Sequence, residues 1–553
     1  MKRRATLFLA IVLCTLVPSV PALATGPTPP PGALTAAGRQ AALVALTAAG
    51  AETAPGTSTA PSTLTAAGAQ AAAGTQAASG TQAAPGALTA AVDRFLADPA
   101  LAGAQTGVVV ADARSGGILV NRRGDERLLP ASNVKLLTSA AALALLGPGH
   151  RFVTTVHADG PRRGPVLDGD LYLRGSGDPA LTPASLDALA RRLAATGIRR
   201  VTGDLVGDDT AFDDVRLGLE WAWDDEPFAA PVSALTLSPD GDFLSGTVTV
   251  TVRGARPAPA SPSRPSVRLT PPTSLLQVVN NATSTPGAST ITVTRRHGTG
   301  TLLVTGTIAA GAPAESFSVT VSDPTRLTTE VFRSALRRHG VHLEGRTRTA
   351  EPAPPGSREL ARHAGPPLRA LMAPLLKASN NNMAELLVKA IGGGSWEAGA
   401  AAVAGYLSRL GIDPATLRQV DGSGLSRRNL IPPAAFTRLL LAVRREPWFG
   451  TWFAALPVAG DPDPLVGGTL RNRMLGTAAA GVVHAKTGTL TGVSALSGYV
   501  DGDRPLVFSV IVNNQLAPSV TPVIDRLVVD LAGTARSSHT VTMGRACVRP
   551  SVC

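Results

Sequence analysis

The residues of this chain with the clearest chemical potential are Ser132 and Lys135, three positions apart in the stretch 128–143. Pro130 stands where the first turn of a helix tolerates proline, and the residues that follow are rich in Ala and Leu. On a helix, side chains three residues apart share a face and can meet. Because burial disfavours a charged ammonium, Lys135 is predicted to shift towards a neutral amine. A neutral amine beside a hydroxyl is a nucleophile with its base.

Lysine is rare in this chain, and its rarity strengthens the interpretation of Lys135. Lysine and arginine together number 51, but the lysines are only Lys2, Lys135, Lys377, Lys389 and Lys486. Arginine cannot be deprotonated in a protein, so it cannot replace a lysine that acts as a base. A lysine kept in an apolar helix beside a serine is therefore predicted to be needed as an amine. The Ser-x-x-Lys pattern alone occurs by chance in many chains, and further motifs must decide.

Two later stretches carry residues of the same kind. Residues 377–385 contain Ser379 and Asn381 at a predicted helix start, where capping by Ser or Asn is the alternative explanation. Residues 484–490 contain Lys-Thr-Gly-Thr at 486–489 at the start of a predicted hairpin, where an ordinary surface strand is the alternative. Gly488 within a strand indicates that another group approaches the backbone closely.

In this order, Ser-x-x-Lys, Ser-x-Asn and Lys-Thr-Gly form the serine acyl-enzyme set of β-lactamases and penicillin-binding proteins. The first two motifs are much further apart in sequence than a compact β-lactamase allows. Here the chain resembles the low-molecular-mass class C penicillin-binding proteins, the D-alanyl-D-alanine carboxypeptidase/endopeptidase family, which carry domains inserted between these motifs. Residues 175–179, 221–224 and 421–426 also resemble that family, and the resemblance covers roughly residues 89–535. For residues 421–426, a Gly-rich turn is the alternative.

The resemblance implies a serine-type D,D-peptidase with catalytic residues Ser132, Lys135, Ser379, Asn381 and Lys486. In that family's pattern Ser132 attacks the carbonyl of the penultimate D-alanine and Lys135 is the base. Ser379 relays a proton towards the leaving amine with electrostatic help from Lys486, and Asn381 holds a substrate amide and orients Lys135.

The resemblance also implies a substrate-binding strand formed by Thr487, Gly488 and Thr489. Thr487 and Lys486 would hold the terminal carboxylate, and the backbone amides of Ser132 and Thr489 would form an oxyanion hole. The implied substrates are peptidoglycan stem peptides and cross-links, and β-lactam antibiotics are the implied inhibitors. No cofactor and no metal are implied.

Other functions remain as alternatives. A β-lactamase or esterase could use the same scaffold, and a wall-binding protein could keep the scaffold without catalysis. The sequence has no His-Glu-x-x-His pattern for a metallopeptidase and no Gly-x-Ser-x-Gly elbow for an α/β-hydrolase. Aromatic residues are scarce and no basic stripe interleaves with them, which disfavours nucleic-acid binding. His484 is not predicted to be catalytic.

The ends of the chain predict export. Residues 1–24 have a basic start, an apolar run and a small-x-small cleavage pattern, as in a secretory signal peptide. Residues 25–86 are a low-complexity Ala/Thr/Gly/Pro stretch, predicted to be a disordered stalk. The formal charge of +12 favours association with an anionic cell wall or membrane surface, and a coding bias towards arginine is the alternative explanation. In the tail 538–553, Cys547 and Cys553 could close a small disulfide loop outside the cell.

The pattern of elements between these ends predicts an α/β (α+β) fold. Residues 87–146 and 358–537 are predicted to form one α/β domain split by an insertion. The family resemblance implies that this domain is β-lactamase/transpeptidase-like, with an antiparallel sheet flanked by helices. Residues 147–237 and 322–357 are predicted to form an inserted α/β domain, and residues 238–321 an all-β module nested inside it. The total of 553 residues is enough for two to four domains.

Overall fold

The structure, a computed structural model, describes residues 85–221, 226–255 and 263–536. The predicted signal peptide, almost all of the predicted stalk and the tail with Cys547 and Cys553 lie outside these residues. Within the described ranges, no helix combines the length and the apolar character needed to cross a membrane.

The first described segment forms a hairpin between two helices. Its elements are α1 (Pro85–Leu96), β1 (Gln105–Asp112), β2 (Ile118–Arg122) and α2 (Val134–Leu145). The hairpin turns where the Asp112 carboxylate accepts hydrogen bonds from the backbone amides of Arg114 and Ser115, at 2.9 and 2.7 Å. Short polar side chains favour turns because they can bond to the backbone in this way. Helix α1 begins two residues before the predicted boundary at 87.

A long series of short strands with helices α3 and α4 follows. In chain order these elements are β3 (Arg151–Ala158), β4 (Arg162–Arg163), β5 (Val166–Leu167), β6 (Leu171–Arg174), α3 (Pro183–Ala195), β7 (Arg200–Val201), β8 (Leu205–Asp208), β9 (Thr247–Arg253), β10 (Ser266–Thr270), β11 (Gln277–Asn280), β12 (Thr283–Thr285), β13 (Thr292–Arg295), β14 (Thr301–Thr305), β15 (Thr307–Ala309), β16 (Glu315–Thr320), α4 (Pro324–Arg338), β17 (His342–Leu343), β18 (Thr347–Thr349) and β19 (Arg358–Pro367). Pro324 is the first residue of α4, and Asp323 caps the helix by accepting from the Arg326 amide at 2.9 Å.

The last segment is mainly helical before it returns to strands. Its elements are α5 (Leu368–Lys377), α6 (Asn381–Ile391), α7 (Trp396–Arg409), α8 (Pro433–Ala442), α9 (Phe449–Ala454), β20 (Val483–Leu490), β21 (Val493–Val500), β22 (Leu506–Asn513) and α10 (Thr521–Ala535).

Strands from both ends of the described chain form one antiparallel sheet in the order β2-β1-β22-β21-β20. Strand β22 shows how its two faces are used, because successive side chains point to opposite sides. Phe508 and Val510 pack against α1 and α10, whereas Val507 and Ile511 pack in a core with α2 and the helices from α5 to α9. The antiparallel sheet flanked by helices confirms the predicted fold class.

The inserted segment builds its own sheets. Strands β18-β8-β6-β3-β19 form one sheet and β17-β7-β5-β4 another, with α3 and α4 packed on them. The neighbouring strands β7 and β8 belong to different sheets. The two strands are separated at Gly203, where a Cβ atom would lie only 2.4 Å from the carbonyl oxygen of Gly169.

One predicted boundary of the insertion is wrong. The sequence places residues 358–367 in the domain formed by 87–146 and 358–537, which we call the sheet-and-helix domain. These residues form β19, which pairs along its length with β3 of the insertion. The chain therefore leaves the insertion at Leu368, where α5 begins. The nested strands β9–β16 also include parallel pairs, β11 with β14 and β12 with β15.

The packing of β21 against β20 generates a stability prediction. Gly498 of β21 pairs with Ala485 of β20, and a Cβ atom at position 498 would lie 2.1 Å from the carbonyl oxygen of His484. We expect Gly498→Ala to lower the free energy of unfolding by roughly 1–3 kcal/mol, because a fixed backbone must move to admit the methyl group. Thermal unfolding followed by circular dichroism measures the change.

Gly405→Ala is the matched control, since Gly405 lies within α7 and an added Cβ atom there would meet nothing within 4 Å. Alanine in an exposed helix is more stable than glycine by about 0.5–1 kcal/mol, so this variant should unfold at the same or a higher temperature. Equal melting temperatures for the two variants would contradict the close approach at Gly498.

Candidate active site

The turn that carries Ser132 is fixed to the central sheet. Ser132 lies in a short 3₁₀ helix, residues 131–133, just before α2. Asn133 donates to the Ser497 hydroxyl of β21 at 2.7 Å, and the side chain of Asn513 bonds both the amide and the carbonyl of Leu129, at 2.7 and 3.0 Å. These bonds set the position of the serine relative to the sheet before any substrate binds.

Two glycines allow other segments to close on this turn. A Cβ atom at Gly488 would lie 2.5 Å from the carbonyl oxygen of Pro130, and one at Gly424 would lie 1.9 Å from that of Ala131. Ala131 itself has a left-handed backbone, with φ of 47°, which is costly for a residue other than glycine. The close approach predicted at Gly488 from its place in a strand therefore occurs, and it is directed at the turn that carries Ser132.

Lys135 is fully buried and has three hydrogen-bond acceptors. Its Nζ lies 2.8 Å from Ser132 Oγ, 2.7 Å from Asn381 Oδ1 and 2.9 Å from the carbonyl oxygen of Ser423. Burial lowers the pKa of Lys135 to about 7, although the negative charges of Glu385 and Asp421 act in the opposite direction. A substantial fraction of this amine is therefore neutral at pH 7.

The geometry determines what the neutral amine does. An ammonium has three donors, whereas a neutral amine has two hydrogens and a lone pair. The oxygens of Asn381 and Ser423 can only accept, so they take the two remaining hydrogens. The lone pair is then directed at Ser132 Oγ, whose hydroxyl can donate to it. This is the arrangement of a nucleophile with its general base.

The second and third motifs meet in the same region. Lys486 is buried, and its Nζ lies 2.8 Å from Ser379 Oγ and 2.8 Å from the carbonyl oxygen of Thr487. Burial, and then the charge of Lys135, hold the pKa of Lys486 well below its usual range. Ser379 has a left-handed backbone with φ of 56°, immediately before Asn380 caps α6. Helix capping and the motif therefore use different residues of the same turn.

The predicted substrate-binding residues lie on β20, which is the edge strand of the central sheet. The Ala485 amide points away from β21, because it donates to the carbonyl oxygen of Pro457 at 3.0 Å. Backbone groups of alternate residues on a strand point the same way, so the amides of Thr487 and Thr489 also face the free edge. Thr487 Oγ1 donates to Thr469 Oγ1 at 2.9 Å, and the Thr489 side chain is exposed.

Sequence reasoning missed one part of the site, the buried carboxylate of Glu385. It accepts from the amides of Gly422 and Ser423, at 2.9 and 2.8 Å, and from the Trp396 indole at 2.7 Å. These bonds fix the position of Ser423, whose carbonyl oxygen accepts from Lys135. Glu385 follows Asn381 by four positions, so both lie on one face of α6, and that spacing was the available signal.

Residues 421–426 form a Gly-rich turn that also belongs to the site, so the two explanations of this stretch are both correct. The buried Asp421 carboxylate accepts from the amides of Gly424 and Ser426, at 2.8 and 2.7 Å, and from Asn429 Nδ2 at 2.8 Å. Burial raises the pKa of both Asp421 and Glu385. Two carboxylates near Lys135 thus counteract part of the effect that burial has on the amine.

Other residues noted in the sequence lie in structural roles. His484 stacks on Phe453, with ring centroids 4.4 Å apart. Lys377 donates to the carbonyl oxygens of Leu456 and Val466, and Lys389 forms an ion pair with Asp213. All four lysines of the described chain are buried, but only Lys135 and Lys486 contact the motif serines. In the described ranges, no group of three or more His, Cys, Asp or Glu side chains could hold a metal ion.

Comparison with known proteins decides the family. Residues 88–534 match the family described as the D-Ala-D-Ala carboxypeptidase 3 (S13) family. The chain belongs to this family. It is a serine-type D-Ala-D-Ala carboxypeptidase, which confirms the resemblance drawn from the three motifs and the class of enzyme that it implied. The S13 match spans the insertion as well as the sheet-and-helix domain.

Individual relatives agree with the S13 assignment. The chain is 46% identical over 456 residues to a D-alanyl-D-alanine carboxypeptidase of Actinomadura sp. strain R39, covering 80% of this chain and 84% of the relative. It is 27% identical over 410 residues to D-alanyl-D-alanine carboxypeptidase DacB of Haemophilus influenzae, covering 73% and 83%. The crystal structure of that organism's penicillin-binding protein 4 (DacB) superposes with a TM-score of 0.67 at 25% identity, covering 80% of this chain and 98% of that one. A second structure of penicillin-binding protein 4 holds a β-lactam.

The carboxylate of Glu385 gives a pH prediction for this carboxypeptidase. When ionised, Glu385 raises the pKa of Lys135, so Glu385→Gln should lower that pKa and leave more neutral amine in acid. We expect the midpoint of the pH profile for acylation by a chromogenic β-lactam to move down by roughly half a unit to one unit, less than a directly contacting charge produces. The plateau should also fall, because a glutamine cannot accept from all three donors.

Glu397→Gln is the control, since Glu397 is exposed on α7 and contacts neither the 421–426 turn nor Lys135. Its pH midpoint should match that of the unmodified protein. An upward shift in Glu385→Gln, or none, would refute the electrostatic link between Glu385 and the amine.

Proposed function

We propose that this S13 carboxypeptidase removes the terminal D-alanine from peptidoglycan stem peptides, and also cleaves D,D cross-links, through an acyl-enzyme on Ser132. The observation that carries the proposal is the buried Lys135 amine 2.8 Å from Ser132 Oγ, with its other hydrogens held by Asn381 and Ser423. A base with a pKa of about 7 accepts a proton from the serine and can also return it at neutral pH.

In the acylation step, Ser132 Oγ bonds to the carbonyl carbon of the penultimate D-alanine while Lys135 takes the hydroxyl proton. The negative charge that develops on the carbonyl oxygen is held by the amides of Ser132 and Thr489, a contribution typically worth about 3–4 kcal/mol for one donor. The free-edge direction of the Thr489 amide on β20 supports this assignment. The C–N bond then breaks, and the proton that Lys135 accepted passes through the Ser379 hydroxyl to the leaving amine, so that Lys135 is neutral again before deacylation.

The buried Lys486 supports the proton transfer and the binding of substrate. Its Nζ contacts Ser379 Oγ at 2.8 Å and can stabilise charge on that oxygen during the transfer. With the Thr487 hydroxyl, it also presents donors to the terminal carboxylate of the substrate. Gly488 lets β20 pass close to the Ser132 turn, so that a substrate on the strand reaches the nucleophile.

In the deacylation step, water attacks the ester carbonyl and gives its proton to Lys135. The C–Oγ bond breaks and the proton returns to Ser132 Oγ, which regenerates the enzyme. A β-lactam ring is opened by the same attack, and a stable adduct on Ser132 would distinguish this peptidase from a β-lactamase, which would turn the drug over. The complete hydrogen-bonding of Lys135 and Lys486 argues against a wall-binding protein that has lost catalysis.

We further propose that the protein acts outside the cytoplasmic membrane, at the cell wall. The signal-peptide pattern at 1–24 and the positive net charge support this location, because an anionic polymer attracts a basic protein. The oxidising environment there would also allow Cys547 and Cys553 to pair.

The assignment of base and nucleophile is tested by two substitutions. Ser132→Ala should abolish covalent labelling by a fluorescent penicillin, because among the described residues no other hydroxyl is hydrogen-bonded to the Lys135 amine. Lys135→Arg keeps the positive charge but cannot accept a proton, so acylation should fall roughly 10²–10⁴-fold. Stopped-flow acylation and mass spectrometry of the adduct provide the measurements, and muropeptide digestion tests the peptidase reaction.

Lys389→Arg serves as the matched control, since Lys389 is also a buried lysine but pairs with Asp213 away from the motif serines. Where this variant folds, its acylation rate should remain close to that of the unmodified protein. Labelling that persists in Ser132→Ala would show that another residue is the nucleophile, and native acylation in Lys135→Arg would place the base elsewhere.

A further inference from the structure

Three consecutive asparagines at the start of α6 attach the second motif to the insertion. Asn381 Nδ2 donates to the carbonyl oxygen of Phe228 at 3.0 Å. On either side of it, Asn380 Nδ2 donates to the carbonyl of Phe243 at 3.0 Å and Asn382 Nδ2 to that of Ser245 at 2.9 Å. All three acceptors lie in residues 227–245, which we call the insertion arm; longer contacts from Asn380 to Asp242 and from Asn382 to Pro227, at 3.4 and 3.3 Å, join the same pieces.

The bond from Asn381 to the arm determines how its amide is turned. An asparagine side chain has one accepting and one donating end, and here both ends are engaged. The donating end faces the Phe228 carbonyl and the accepting end faces Lys135 Nζ at 2.7 Å. If the Phe228 carbonyl moved away, the amide would lose the contact that holds its oxygen towards the lysine.

Asn380 and Asn382 hold the arm in place without touching Lys135 or the motif serines through any of the bonds described above. Both are buried, with 2% and 5% of their surface exposed. A buried side-chain amide that loses its hydrogen-bond acceptor destabilises the fold, so these donated bonds resist withdrawal of the arm. Their backbone positions flank Asn381 directly, so a shift of the arm relative to either residue is transmitted to the catalytic amide.

We propose that Asn380 and Asn382 are positioning residues, and that through them the insertion arm completes the catalytic site by locking the amide of Asn381 against Lys135. The inference rests on the proposed function and adds a role for the insertion in the chemical step. The insertion is thus part of the machinery that directs the lone pair of Lys135, in addition to any contact that it makes with substrate.

Asn380→Asp removes the donor to the arm and adds a negative charge, and the uncharged Asn382→Ala shows whether the loss of one bond to the arm has the same effect. The remaining carboxylate oxygen still caps α6 by accepting from the Met383 amide, now bonded at 2.9 Å, and Asp caps helices as well as Asn. The donor to the Phe243 carbonyl is lost. We expect the first-order acylation rate constant for a β-lactam to fall about tenfold, with the dissociation constant of the initial complex nearly unchanged.

Asn280→Asp in β11 is the matched control. Asn280 has the same pair of bonds, accepting from the Ala282 amide at 3.1 Å and donating to the Pro265 carbonyl at 2.8 Å, but it lies in the nested strands of the insertion. Its acylation constants should equal those of the unmodified protein even where its melting temperature falls. Asn382→Ala, which removes the bond to the Ser245 carbonyl, should lower the acylation rate constant as Asn380→Asp does.

The outcomes separate this inference from the proposed function. If the unmodified protein is not acylated at Ser132, the proposed function fails. If it is acylated and Asn380→Asp and Asn382→Ala react at the native rate constant, or Asn280→Asp slows equally, the positioning role is refuted. A loss confined to the initial binding constant would also refute it, because a disoriented Asn381 amide must slow proton transfer from Ser132. Should Asn382→Ala not fold, Asn380→Asp, which keeps the helix cap, decides alone.

Discussion

The site depends on one buried amine whose every hydrogen has an acceptor. Removing an ammonium from water costs several kcal/mol, and a lysine in such a place either neutralises or finds compensating partners. Lys135 does both, because its pKa falls to about 7 and three oxygens surround its Nζ. The acceptors come from its own turn, from α6 and from the 421–426 turn. The chemistry therefore requires that segments far apart in the chain meet at one nitrogen atom.

Each acceptor is itself held by a second contact, and these contacts explain much of the surrounding fold. Glu385 holds the amides of Gly422 and Ser423. The Phe228 carbonyl holds the Asn381 amide, and Asn513 holds the chain ahead of Ser132. The central sheet, the helices and the insertion each supply one of these supports. Such over-determination suits a site in which a neutral amine must keep its lone pair directed at one hydroxyl.

The sequence predicted the parts of this site that depend on local spacing. The three-residue spacing of Ser132 and Lys135, the Lys-Thr-Gly sequence and the Asn-rich helix start are all visible in short stretches, so the three motifs could be identified in advance. The family resemblance that they carry then implied the antiparallel sheet. Glu385 and the pairing of β19 could not, because both depend on partners chosen in three dimensions. The rarity of lysine drew attention to four lysines that are all buried in the described chain. Two of them, Lys377 and Lys389, make structural contacts with a backbone carbonyl and with Asp213 and do not contact the motif serines.

The bonds between the asparagines and the insertion arm have a consequence for how such proteins diverge. Every acceptor on the arm is a main-chain oxygen, which any amino acid supplies equally. The side chains of the arm can therefore be replaced through evolution while its path, and with it the attachment, is preserved. Related enzymes could retain this connection with little similarity in that segment, and an engineer who exchanges the arm would need to reproduce its trace rather than its composition.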